Sequence, residues 1–167
     1  DHSTGPNTEA SARSVSASLS VEETQSLLHE VPKNYRTQIN DVLLTALVQT
    51  LAGWTGSNNL LVDLEGHGRE PIFDDVDVSR TVGWFTTISP ALLTLENSES
   101  DGELLKSIKE QLRRVPNQGI GYGVLRYLTE DKTIAEKLDS LPQAELNFNY
   151  LGQFNQVLTE LSLFGSL

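Results

Sequence analysis

The residues best suited to chemistry lie in residues 65–70, which read EGHGRE and directly follow the apolar run at residues 60–64. Charged groups at the end of a buried strand are costly to desolvate unless they are paired or used in a reaction. A carboxylate placed there can remove or return a proton, which is general acid–base chemistry. The alternative is a polar turn in which Glu65 and Arg69 form an ion pair. The residues alone leave both interpretations open.

Amide and phenol side chains form a second polar group in residues 147–154, which read NFNYLGQF. In an ideal strand, Asn149 and Tyr150 point to opposite faces of the sheet. Both reach one site only if a bulge or bend interrupts the strand. A structural role is the alternative for each side chain.

Two glycine-containing stretches are further candidates. In residues 79–86 (SRTVGWFT), Trp84 and Phe85 predict an aromatic wall that lines a cleft. The alternative, which residue type alone favours, is that the two rings pack in the core. Residues 116–123 (PNQGIGYG) match neither GxGxxG nor the GKS or GKT ending of a phosphate-binding loop. They predict a flexible loop that crosses a cleft, with a plain surface loop as the alternative.

Hydrophobic periodicity predicts the elements that must position these residues. Apolar side chains recur at three- and four-residue spacing in residues 37–54, which predicts a helix that Gly53 and Gly56 end. A buried strand is predicted at residues 60–64, one or two strands at 82–95, an amphipathic helix at 103–114, a short helix at 133–138 and a strand at 145–150.

Local signals predict the N-terminal part. Residues 1–14 are rich in Ser, Thr, Asn, Gly and Pro, which indicates a linker or disordered start. Residues 15–19 alternate apolar and small side chains, which predicts a short strand. Ser20 and Glu23 form a capping box that begins a helix through about His29, and Pro32 closes that helix.

The order of elements predicts an α/β fold class, specifically a mixed α+β layer rather than the regular alternation of a dinucleotide-binding fold. Residues 15–167 are expected to form one domain. Its tail, residues 153–167, is either a strand or part of a further segment.

Composition excludes several kinds of partner and site. The 167 residues include 23 acidic and 12 basic side chains, for a net charge of −11, so nucleic acid and anionic membranes would repel the protein. Without Cys there is no disulfide, thiolate metal site or cysteine nucleophile. Three scattered histidines and an acidic cluster without calcium-loop spacing predict no metal site. No membrane span or secretory signal is evident, and a cytoplasmic protein is expected.

Five stretches occur in order and together resemble the core motifs of epimerization domains from nonribosomal peptide synthetases, which belong to the condensation-domain superfamily. They are DVLLTA (residues 41–46, the family's DxLLxA element), EGHGRE (65–70), RTVGWFT (80–86), PNQGIGYG (116–123) and FNYLGQF (148–154). Each motif alone is weak, but five in register over residues 41–154 are specific.

The resemblance implies a domain of two chloramphenicol-acetyltransferase-like halves with a tunnel between them, of which this chain matches the C-terminal half. A peptidyl carrier domain would insert its phosphopantetheine arm, loaded with an aminoacyl or peptidyl thioester. The domain would remove and return the Cα proton and so equilibrate the L and D forms. The implied partners are the N-terminal half and the carrier domain, with no cofactor bound directly by this chain.

The resemblance also implies catalytic roles for Glu65, Arg69, Asn149 and Tyr150. Glu65 would act as an acid or a base, and Arg69 would orient it. Asn149 and Tyr150 would donate hydrogen bonds to the enolate oxygen or fix the substrate, because donors aimed at developing charge contribute strongly to catalysis. His67 is expected to support the structure.

One family motif is missing from this sequence. The N-terminal half of the family carries HHxxxDG, whose second His has an acid–base role, and no His pair occurs here. The isolated chain is therefore expected to be inactive. A condensation-domain half that forms peptide bonds and a non-catalytic fragment that binds a carrier domain are the alternatives. EGHGRE and FNYLGQF favour epimerization over condensation.

Overall fold

The computed structural model of the chain describes residues 8–96 and 100–153. The chain divides into two compact units, Asp1–Arg36 and Thr37–Leu167. Apart from Gln153, the predicted tail segment lies outside the described residues. The proposed domain boundaries, residues 1–14 and 15–167, stay a prediction.

The first unit is helical in its second half. A short 3₁₀ turn, Glu9–Ser11, is followed by residues 12–20 without regular structure and then by helix α1 (Val21–Gln25), a π-helical stretch (Ser26–Glu30) and helix α2 (Val31–Tyr35). The strand predicted for residues 15–19 is wrong. A strand needs a partner to satisfy its backbone groups, and these fully exposed residues pair with no described strand.

The predicted capping box is confirmed at the start of α1. Ser20 Oγ accepts from the Glu23 N–H at 3.2 Å, and the Ser20 N–H donates to Glu23 Oε2 at 2.8 Å. Pro32 does not close the helix as predicted, because it lies in the first turn of α2, where proline's missing N–H costs nothing. The helical run ends instead at Arg36, which has a left-handed backbone with φ 54°.

The second unit alternates helices and strands. Its elements are α3 (Ile39–Thr55), β1 (Asn59–Gly66), β2 (Thr87–Thr94), α4 (Asp101–Arg113), a 3₁₀ turn (Pro116–Gly119), α5 (Gly121–Tyr127), α6 (Lys132–Asp139) and β3 (Leu146–Phe148). Most bounds lie within a few residues of the predicted ones. The flexible loop predicted for residues 116–123 is wrong, because the 3₁₀ turn and the start of α5 occupy it.

The three strands form one mixed sheet in the order β2–β1–β3. Strand β1 lies in the middle, antiparallel to β2 and parallel to β3. In the parallel pair, Leu64 is the register partner of Phe148. The predicted mixed α+β class is confirmed.

A single apolar cluster joins the sheet to two helices. Its buried members come from α3, β1, β2 and α4, and they are Leu44, Val48, Val62, Ala91, Leu93 and Ile108. Burial of each Leu, Val or Ile side chain contributes roughly 1.5–3 kcal/mol, so the cluster fixes β1 in position. No helix in the described part of the chain combines the length and hydropathy that crossing a membrane would require.

Candidate active site

The parallel pairing of β1 and β3 brings two predicted site segments together. Because Leu64 pairs with Phe148, the residues that follow these two lie next to each other at the same edge of the sheet. Glu65 follows Leu64, and Asn149 and Tyr150 follow Phe148. The polar residues therefore meet because of strand register, although 84 positions separate Glu65 from Asn149.

A cavity of about 720 Å³ lies at this edge of the sheet, and Glu65, Asn149 and Tyr150 all line it. Strand β3 ends at Phe148, so strict alternation no longer applies to the next two residues. The bend that the sequence required for Asn149 and Tyr150 to share a site is thus the end of the strand itself. The rest of the wall combines apolar side chains, among them Leu44 and Leu64, with polar ones.

Glu65 is half-buried at the end of β1. Among the described residues, no side chain or backbone group donates a hydrogen bond to its carboxylate. The hydroxyl of Tyr150 and the side-chain amide of Asn149 are likewise without a hydrogen-bond partner in the described ranges. These three groups can therefore interact with a molecule in the cavity without first breaking a contact.

Arg69 does not line the cavity. Its guanidinium donates to the carbonyl oxygen of Val78 and, at 3.5 Å, to that of Gly83. It also lies 4.2 Å from the ring centroid of Phe85. No ion pair joins Arg69 to Glu65 within residues 8–96 and 100–153, so the structural ion pair considered from the sequence is not formed. The catalytic role implied for Arg69 stays a prediction.

His67 is held by backbone and carboxylate groups of its own turn. Its Nδ1 accepts the N–H of Arg69 at 2.9 Å, and its Nε2 lies 3.7 Å from Glu70 Oε1. An Nδ1 that accepts a hydrogen bond places the proton of the neutral ring on Nε2, which faces Glu70. This arrangement agrees with the supporting role expected of His67.

The aromatic pair does not form a wall of the cavity. Trp84 is 91% exposed, and Phe85 packs under Arg69 instead. Neither residue lines the cavity. Core packing, which residue type favoured, is therefore wrong for Trp84. The sequence does not indicate which of the two aromatic side chains will be buried.

Sequence reasoning assigned no role to three further residues of the cavity wall, which are Asn40, Glu70 and Gln118. The Glu70 side chain is 11% exposed, and its Oε2 has no hydrogen-bond partner in the described part of the chain. The charged motif at residues 65–70 could have indicated Glu70. Gln118 carries no comparable sequence signal, since it lies in a glycine-rich stretch.

Asp41, in the DVLLTA motif, also borders the cavity, but its carboxylate has a structural partner. Asp41 Oδ2 accepts the N–H of Gln38 at 2.7 Å and so caps helix α3. No group of three or more potential metal ligands occurs among the residues that the structure describes.

Comparison with known proteins identifies the family. A family model described as "Condensation domain" matches residues 1–166. The chain belongs to this family. It is 58% identical over 165 residues to a linear gramicidin synthase of Brevibacillus parabrevis, and the match covers 98% of the chain and 3% of that protein. It is 45% identical to gramicidin S synthase 1 of Brevibacillus brevis, over 96% of the chain and 15% of that protein.

Among solved structures, the chain resembles the epimerization domain from the third module of tyrocidine synthetase B. The TM-score is 0.73 at 44% identity, over 81% of the chain and 30% of that domain. The first condensation domain of the CDA synthetase matches with a TM-score of 0.50 at 17% identity, over 64% of the chain and 24% of that structure. The second likeness concerns the fold alone. The family recognised from the five motifs is confirmed, and the chain spans only a small part of these synthetases.

Proposed function

We propose that the chain is part of an epimerization domain that inverts the Cα stereocentre of an aminoacyl or peptidyl thioester held on a carrier domain. The observation that carries the proposal is the meeting of Glu65, Asn149 and Tyr150 at one cavity. The 44% identity to an epimerization domain supports the same reaction. This choice rests on the site, because one fold can serve several reactions.

Glu65 is positioned for proton transfer at Cα. Its carboxylate is half-buried at the cavity wall and accepts no hydrogen bond from the described residues, so a lone pair is available for the Cα proton. Loss of that proton leaves the electron pair on an enolate, whose oxygen carries the negative charge. Return of a proton to the opposite face inverts the centre, and return to the same face restores it.

Tyr150 and Asn149 are the donors for the enolate oxygen. A phenol O–H and a primary amide N–H both donate hydrogen bonds, and donors aimed at the atom where charge develops lower the barrier. Arg69 acts at a distance from the reacting atoms, because its guanidinium holds Val78, Gly83 and Phe85. We therefore assign Arg69 a positioning role.

The second proton-transfer group must lie on the face of the substrate opposite Glu65. We assign it to an N-terminal half that would close the tunnel over this chain. The carrier domain would present the thioester on its phosphopantetheine arm, so this chain needs no cofactor of its own. A condensation reaction or carrier binding without turnover are the competing functions, and neither requires Glu65 to exchange a proton with Cα.

Replacement of the proposed acid–base group tests this function. We expect Glu65→Gln, in the polypeptide that joins this chain to its N-terminal half, to slow Cα hydrogen exchange by roughly 100-fold or more, the range that one general acid–base group supplies. The measurement is deuterium incorporation from D₂O into a carrier-bound aminoacyl thioester, together with its D/L ratio.

Glu136→Gln is the matched control, because Glu136 is an exposed carboxylate on α6 and is not part of the cavity wall. We expect this variant to exchange at the wild-type rate. Unchanged exchange in Glu65→Gln would refute the proposed role. Peptide-bond formation without exchange, when a second loaded carrier is supplied, would favour the condensation alternative.

A further inference from the structure

An unusual backbone conformation occurs in the turn between α4 and α5. Three consecutive residues have positive φ, namely Asn117 at 46°, Gln118 at 54° and Gly119 at 83°. Residues other than glycine rarely adopt this left-handed backbone conformation, because their Cβ then crowds the following carbonyl oxygen. Glutamine is not among the residues enriched there, whereas asparagine is.

Packing explains the conformation of Gly119 but not that of Gln118. A Cβ on Gly119 would overlap the side chain of Ser89 on β2, so this glycine allows the turn to lie directly on the sheet. The side chain of Gln118 is exposed, so burial in the core does not require its conformation. Strained residues that packing does not require are concentrated at binding and catalytic sites.

The position of Gln118 gives a functional reason for its left-handed backbone conformation. Gln118 lines the cavity that contains Glu65 and Tyr150, whereas its neighbour Asn117, which also has a positive φ, does not. The side-chain amide of Gln118 makes no hydrogen bond with any described residue. The left-handed backbone thus places an unpaired donor and acceptor at the wall of the site.

We propose that the side-chain amide of Gln118 hydrogen-bonds an amide group of the thioester-bearing chain that enters the cavity. A primary amide offers an N–H donor and a carbonyl acceptor together, which is the complement of a secondary amide. The inference rests on the proposed function. Two parts of the ligand carry that chemistry, the phosphopantetheine arm and the peptide bond of a peptidyl substrate.

Glycine substitutions separate this contact from the needs of the backbone. Gln118→Gly and Asn117→Gly both remove a side chain at a positive φ, and glycine adopts that conformation without steric cost. We expect neither substitution to lower the Tm of the polypeptide that joins this chain to its N-terminal half. Only Gln118→Gly removes a group from the cavity, so Asn117→Gly is its matched control.

The decisive measurement is the Kd for stable thioether analogues of the aminoacyl and the dipeptidyl thioester, each attached to the carrier domain, because a thioether adds no amide group of its own. We expect Gln118→Gly to weaken binding roughly three- to tenfold, the effect of one hydrogen bond, and Asn117→Gly to stay within about twofold. Equal weakening for both analogues assigns the contact to the arm. Weakening for the dipeptidyl analogue alone assigns it to the peptide bond.

Equal Kd values for Gln118→Gly and Asn117→Gly with both analogues would overturn the inference, as would a failure of the wild-type protein to bind either one. Cα exchange by the wild-type protein is measured separately. Its absence would refute epimerization and leave the binding result standing. Normal exchange with unchanged binding by Gln118→Gly would refute the Gln118 contact alone.

Discussion

The strand ends that carry Glu65 and Tyr150 differ in kind from residues 71–85, although both regions are rich in motif residues. The strand ends contribute side chains without hydrogen-bond partners to the cavity. None of residues 71–85 lines that cavity. Instead, the carbonyl groups of Val78 and Gly83 and the ring of Phe85 surround the guanidinium of Arg69. The first region leaves its polar side chains unpaired at the cavity, and the second uses its groups in internal contacts.

This difference shows that a motif does not indicate which way its residues face. The EGHGRE motif contains both a cavity residue and a residue that makes internal contacts. Glu65 lines the cavity, whereas Arg69, four positions later, contacts residues 78–85. We therefore expect substitutions in the two regions to have different signatures. Changes at the cavity should lower activity with little loss of stability, and changes at residues 71–85, or at Gly68 and Arg69 that contact them, should lower stability first.

The largest expected effect on stability is that of Gly68→Ala. Gly68 has φ 67°, and a Cβ there would overlap the carbonyl group of Phe85. Backbone atoms cannot move aside as a flexible side chain can, so strain from overlap and from the positive φ adds to about 3 kcal/mol. The free energy of unfolding, measured by urea denaturation, should fall by that amount.

Gly53→Ala is the control for this substitution. Gly53 lies inside α3 with nothing within 4 Å of the position its Cβ would take, so alanine should raise stability by about 0.4–1 kcal/mol. A Gly68→Ala protein as stable as wild type would show that the EGHGRE turn is not held against Phe85. The distinction between the two regions would then fail.

Periodicity predicted the elements that supply the core but could not predict how the site is assembled. The apolar stripe of α3 and the apolar run of β1 are local patterns, and both elements formed close to where they were expected. The meeting of Glu65 with Asn149 and Tyr150 depends on the pairing of Leu64 with Phe148. Register between distant strands is a tertiary property that no local window contains.

Several predictions failed because the presence or absence of tertiary contacts, and not the local signal, decides the structure. The alternating pattern of residues 15–19 resembles a strand, but no described neighbour pairs with it. Gly121 and Gly123 suggested a loop, yet both lie in α5, since a glycine costs only about 1 kcal/mol in a helix and so does not by itself prevent one. The positive φ of Gln118 is visible only in the structure.

A smaller effect is expected from Arg69→Ala, and it tests the position of Arg69 directly. Loss of the guanidinium removes the donors to Val78 and Gly83 and the contact with Phe85. Because hydrogen bonds from a charged group contribute about 1.5–3 kcal/mol, and Arg69 is partly exposed, we expect a loss of about 1–2 kcal/mol in the free energy of unfolding.

Glu65→Gln is the comparison for Arg69→Ala, since its stability should match that of wild type while its Cα exchange is lost. If the two regions differ as described, Arg69→Ala mainly lowers the free energy of unfolding, whereas Glu65→Gln mainly lowers the rate of Cα exchange. Full stability in Arg69→Ala, combined with lost exchange, would contradict this assignment. Arg69 would then act in the reaction, as the family resemblance implies.

The smallest expected effect is a pH dependence confined to residues 71–85. A hydrogen bond from the Ser79 side chain and, second, the one from the Ser79 N–H to Asp77 Oδ1 at 2.8 Å hold the pKa of Asp77 below its ordinary value of 3.8. A lowered pKa in the folded state means that the carboxylate stabilises this turn above about pH 3.8 and that the contribution is lost as the pH falls through the folded-state pKa. Trp84 lies seven positions further on and is exposed, so it can report the change.

We expect the fluorescence of Trp84, measured in a Trp54→Phe background, to show a small transition below pH 4 that precedes the loss of far-ultraviolet circular dichroism. Asp77→Asn should abolish that transition, because the amide keeps the turn geometry but does not titrate. Asp75→Asn, two positions away in the same exposed segment, should retain it. A transition that persists unchanged in Asp77→Asn would mean that a titratable group other than Asp77 controls the conformation of this segment.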